Sequence, residues 1–191
     1  KFENLYLVGG TWRALFKLHL FQNKHPVHII HQYSVNYETI STFVEKIASF
    51  NKAKLKTVEY ISKSRTPYLP YSSIILDEIM RATNPKNIIC SISGIREGSL
   101  ATDYFKNIDN SQVFEKSLEY ISKKRGDLGL TYKKYHEFIK PVFDGNEHFD
   151  EKLLNLACVL SHMDWGLGAF QKAELVFQET LNTPLLRLSH K

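Results

Sequence analysis

The sequence predicts an α/β unit followed by an all-helical one, and three observations predict it. Short buried strand patterns at residues 5–8 and 87–91 are separated by amphipathic helical segments. No strand-type run appears after Ser91. Four segments with helical spacing follow, at 111–124, 132–142, 150–163 and 169–181. The boundary falls near 102–109, which gives an α/β part over 1–102 and a helical part over 103–191.

Leu5-Tyr6-Leu7-Val8 reads as a strand closed by Gly9-Gly10. Thr11 is the expected N-cap of a helix over 12–21. Residues 26–35 alternate and read as extended. Residues 37–50 form an amphipathic helix with Ile40, Phe43, Val44 and Ile47 on its apolar face. A lysine-rich helix is expected over 52–61, then a loop at Ser64-Arg65-Thr66-Pro67. Pro70 belongs near the first turn of the next helix, which carries Ile74, Ile75, Ile79 and Met80, runs to about Thr83 and stops at Asn84-Pro85. The second strand ends at Ser93-Gly94.

The chain has 191 residues, 43% hydrophobic and 24% charged, which is ordinary for a globular protein. Its formal net charge of +5 favours polyanions only mildly. Cys90 and Cys158, the only cysteines, lie in apolar stretches and read as core residues of a reducing compartment. No apolar run approaches the ~20 residues that span a bilayer, and 1–10 lacks the apolar core of a signal peptide. The expectation is a cytoplasmic protein with no membrane partner. With no aromatic strand motif, nucleic acid is not expected as a partner either.

Two turns are candidate sites. Gly9, Gly10 and Thr11 follow a buried strand and open a helix, a geometry that offers amide N–H groups to an anion. An ordinary strand-to-helix turn would look the same. Arg96, Glu97 and Gly98 follow the second strand; Arg96 could fork onto phosphate oxygens with Glu97 holding it, or the two could form a surface ion pair. His25, His28 and His31 suggest a metal cluster, but on extended chain His28 points away from the other two. His136, His162 and Asp164 suggest another, but His162 and Asp164 are two apart on a helix and diverge. Lys52, Lys54, Lys56, Lys63 and Arg65 form a basic run, read as a solvated face or as a polyanion track.

Taken together, the segments 8–15 (VGGTWRAL), 30–33 (IHQY), Ser64-Arg65 and 92–100 (ISGIREGSL) resemble the exopolyphosphatase / guanosine-pentaphosphate phosphohydrolase family of bacteria. Residues 157–165 look like the opening of the inner part of that family's helical domain. The resemblance implies the end of the second of two ribonuclease-H-like, actin-like domains over 1–102, and a truncated helical HD-like domain over 103–191. It implies hydrolysis of the terminal phosphate of polyphosphate or guanosine pentaphosphate, a divalent metal such as Mg in the full-length enzyme, and a homodimer. The family's catalytic carboxylates fall upstream of the matched region, so the chain reads as a C-terminal fragment, inactive alone, with no catalytic residue and no metal of its own. Carried over residue by residue, Gly9, Gly10, Thr11, Arg65, Arg96, Glu97 and Gly98 supply part of the phosphate-binding cleft. Ser161 and His162 stand where an HD protein carries His and Asp, which argues against metal catalysis there. A noncatalytic guanosine-tetraphosphate-sensing or dimerisation module, and an HD-type metal phosphohydrolase, are the alternatives.

Overall fold

The computed structural model describes residues 2–104, 106, 109, 112–124, 131–147, 149–161 and 169–182. The chain divides into two compact units, the first running to Tyr104 and the second from residue 105.

The first unit is a small mixed α/β layer. Its three strands are β1 (Asn4–Val8), β2 (Tyr33–Asn36) and β3 (Asn87–Ser91), in the order β1-β3-β2. β1 runs parallel to β3, with Val8 opposite Ser91. β2 runs antiparallel to β3, with Tyr33 opposite Cys90. Alternation puts Leu7, Val35, Ile88 and Cys90 on one face, where they are buried. On the other face Tyr6, Val8 and Ser34 are exposed.

Helices α1 (Gly10–Gln22), α2 (Tyr37–Ala48) and α4 (Leu69–Thr83) supply the rest of that core. α2 buries Ile40, Phe43, Val44 and Ile47, the stripe its periodicity dictates. Asn36 caps it, accepting from the Thr39 amide at 2.8 Å. α4 begins with Pro in its first turn and ends at Asn84, whose φ of 45° and N–H bond to Met80 O form a left-handed cap. α5 (Ile95–Tyr104) closes the unit.

Four expectations change. α1 is capped by Gly9, not Thr11; Thr11 already lies inside the helix and makes no capping bond. The strand expected over 26–35 shrinks to Tyr33–Asn36, because Gln32 has φ 60° and turns the chain into the ladder. The lysine-rich helix, α3, covers only Lys52–Lys56, held between the Asn51 cap and Thr57. α4 buries Leu69, Ser72, Ser73, Leu76 and Met80 and exposes Ile74 and Ile75. Ser72 Oγ lies 2.9 Å from the Tyr68 and Leu69 carbonyls, to which it can donate, whereas the buried Ser73 Oγ has no hydrogen-bond partner among the described residues. Lastly, residues 95–104 are helical rather than a turn.

The second unit is helical among its described residues. It contains α6 (Val113–Lys124), α7 (Thr131–Ile139), α8 (Glu151–Ser161) and α9 (Ala169–Asn182). Phe114, Leu118, Ile121, Tyr132, Leu156 and Val159 make its core. Among the described residues, no helix is long and apolar enough to cross a membrane.

Candidate functional site

β1 and β3 are parallel neighbours, so the turns that follow them emerge side by side. A Cβ on Gly94 would sit 3.9 Å from a Val8 methyl. In open α/β sheets ligands bind beyond the carboxyl ends of such strands.

At the first turn Gly9 has φ 137° and ψ 158°, a conformation that essentially only glycine holds without strain. It starts α1 with no side-chain cap. The helix's first amides, at Gly10, Thr11 and Trp12, are therefore free to face an anion, and the helix dipole favours one. Arg65 closes over this turn: a Cβ on Gly10 would fall 2.5 Å from the guanidinium carbon. Only glycine leaves the guanidinium room to lie on the backbone there. Arg65 is exposed and has no ion-pair partner among the described residues. A cleft of about 340 Å³ opens beside it, lined by Gly9, Thr11, Trp12, Tyr68, Tyr71 and Ile75.

The second turn is built differently. Gly94 caps α5, and Glu97, three residues into the helix, accepts the Gly94 N–H at 2.6 Å. That bond, the nearby backbone and the charges of Arg96 and Arg13 hold the Glu97 carboxyl below its ordinary range. Glu97 therefore acts as a helix cap, and no ion pair joins it to Arg96. Arg96 is exposed, with no hydrogen bond or ion pair among the described residues. Gly98 lies in the helix, with open space where a Cβ would be.

Sequence reasoning gave no role to the residues that fasten these turns. Arg13 Nε donates to Ser91 O at 3.2 Å, tying α1 to the end of β3. The signal was available, since Arg13 lies one helical turn beyond Gly9. His31 Nδ1 accepts from the Ile92 amide at 3.4 Å, and burial lowers its pKa. A neutral ring is what an accepting nitrogen requires. His19, deeply buried in α1, also went unnoticed; its Nδ1 lies 2.9 Å from the Tyr33 hydroxyl, and burial together with His25 lowers its pKa to about 4.

The three histidines of 25–31 go to three partners. His25 Nδ1 meets Val27 O at 2.7 Å, His28 packs on Phe21, and His31 holds Ile92. His136 faces the Glu151 carboxylate at 3.6 Å, and that carboxylate also pairs with Lys140 at 2.9 Å. His162 and Asp164 lie outside the described residues. Among the described residues no three His, Cys, Asp or Glu side chains are grouped to hold a metal. The residues of the two turns do not fit a divalent cation either: Arg13, Arg65 and Arg96 stand there against one carboxylate, which is already spent on Gly94. Their chemistry is that of an anion site.

The model of the Ppx/GppA phosphatase family matches residues 1–106, more than half of the chain. No curated protein matches the chain.

Proposed function

We infer the function from one premise, that the chain belongs to the Ppx/GppA phosphatase family. Family membership supports a hydrolase of phosphoanhydrides. Within it, the chain supplies the phosphate-holding side of a cleft for inorganic polyphosphate or guanosine pentaphosphate. The observation that carries this reading is Arg65 lying over Gly10 at the uncapped start of α1. Amide donors, helix dipole and an unpaired guanidinium there converge on one anion position. Arg96, on the adjoining turn, is the second cation for a longer chain of phosphates.

The sheet and its helices are read as the end of an actin-like, ribonuclease-H-like domain. In this reading the chain's own residues bind and orient phosphate, and none acts as a base. A divalent metal would be held by residues other than those of the two turns.

Equilibrium binding of inorganic polyphosphate and guanosine pentaphosphate to the chain and to Arg96→Ala tests this. A charge-assisted bond is worth ~1.5–3 kcal/mol, so Arg96→Ala should bind roughly ten- to hundredfold more weakly with an unchanged melting temperature. Unchanged affinity in a normally folded variant would remove Arg96 from the site.

A further inference from the structure

A second groove lies at the other end of α1, with a volume of about 360 Å³. Its walls combine stacked aromatics with lysines. Phe21 and Tyr60 stack face to face, with centroids 3.8 Å apart and planes 7° apart. Tyr60 remains 58% exposed in spite of that stack. It is held there by a backbone φ of 68°, an outlier for a bulky residue. Lys54 Nζ lies 5.0 Å over the Phe50 ring. Lys46 Nζ is 3.3 Å from Gln22 Oε1. Among the described residues neither lysine has a carboxylate partner, so both ammonium groups keep donors to offer.

An aromatic face beside unpaired ammonium groups is complementary to a planar base joined to phosphate. Phosphate alone would make no use of the rings, and an apolar ligand would leave the lysines unused. The volume is at the small end of ligand sites and suits one nucleotide. We propose that this groove is a nucleoside phosphate site separate from the cleft at β1, with the base against Tyr60 and the phosphate between Lys46 and Lys54. Glu59 is the one acid lining the groove, and its carboxylate would accept from an amino group of the base.

Photolabelling with 8-azido-ADP, followed by peptide mapping, tests the proposal. The label should fall on the peptide spanning residues 46–60. ADP should compete for that label at concentrations at least tenfold lower than either adenosine or inorganic triphosphate. Lys54→Glu and Tyr60→Asn should each reduce labelling at least tenfold; asparagine tolerates the left-handed backbone, so the second variant keeps the fold. Arg65→Ala should leave this labelling unchanged, which keeps the test independent of the cleft at β1. Labelling that maps to Tyr68 or Tyr71, triphosphate competing as well as ADP, or indifference to both groove variants would overturn it.

Discussion

The turn after β1 and the turn after β3 share one pattern, a parallel strand, a glycine and a helix start. They differ in the third helical residue. After β1 it is Trp12, which offers no acceptor, and the first amides of α1 stay open beneath Arg65. After β3 it is Glu97, whose carboxylate takes the Gly94 amide and fills the anion position itself. In the proposed reading, one side chain decides whether such a strand–glycine–helix turn seats an anion or closes as a cap.

Acid should separate the two turns by the largest margin. Buried His19 is neutral in the folded chain, with a pKa of about 4 against 6.5 for the free side chain. Between those values the unfolded chain binds the extra proton, so stability falls as pH drops from 6.5 towards 4. The full effect is at most about 3 kcal/mol. The Glu97 cap has the opposite dependence on charge: it needs the ionised carboxylate and is lost only as pH falls through its lowered folded value. Helix α1, which carries the open turn, should therefore weaken first. Urea unfolding at pH 7, 5.5 and 4 would show this, with a shallower pH slope in His19→Gln. Equal slopes in the two proteins would remove His19 from the explanation.

Arg65→Ala comes next. It should weaken inorganic triphosphate binding roughly tenfold to a hundredfold, as loss of a charge-assisted bond does, with no change in melting temperature. An equal loss on Glu97→Gln would erase the distinction between the turns. Gly9→Ala forces a side chain into the region at φ 137° and should cost ~1–3 kcal/mol in denaturant unfolding. The smallest effect belongs to Glu97→Gln, which should lower the melting temperature slightly and leave triphosphate binding intact.

Much of this contrast could be read in the sequence, and part could not. Leu5–Val8 and Asn87–Ser91 announced themselves as apolar runs closed by glycine, and α2 by its strict spacing. Arg65, proposed for the anion seat, is one of five basic residues in a run; the resemblance at Ser64-Arg65 singles it out, but nothing local distinguishes it from Lys63. Its role depends on Gly10, 55 positions earlier, leaving space for it. The capping bond of Glu97 is hidden in the sequence, because Arg-Glu reads as an ion pair until the helix start at Ile95 is known. Ser72 and Ser73 are buried on α4 while Ile74 and Ile75 are exposed, so hydropathy at single positions does not pick out the buried face of this helix. The break at Gln32 depends on a left-handed backbone that the alternating pattern conceals.

The most direct test sets one glycine of each turn against the other. Gly10 and Gly98 both lie in the first turns of their helices, where alanine is favourable to the helix. At Gly10 the new methyl would meet the Arg65 guanidinium, a flexible group that can move aside and so leave its place over the backbone. At Gly98 it would meet nothing within 4 Å. Measured by calorimetry, Gly10→Ala should bind inorganic triphosphate about tenfold more weakly while melting at the temperature of the parent or above it, and Gly98→Ala should bind it as the parent does. Undiminished binding by Gly10→Ala, or an equal loss in Gly98→Ala, would contradict the assignment of the anion seat to the turn after β1.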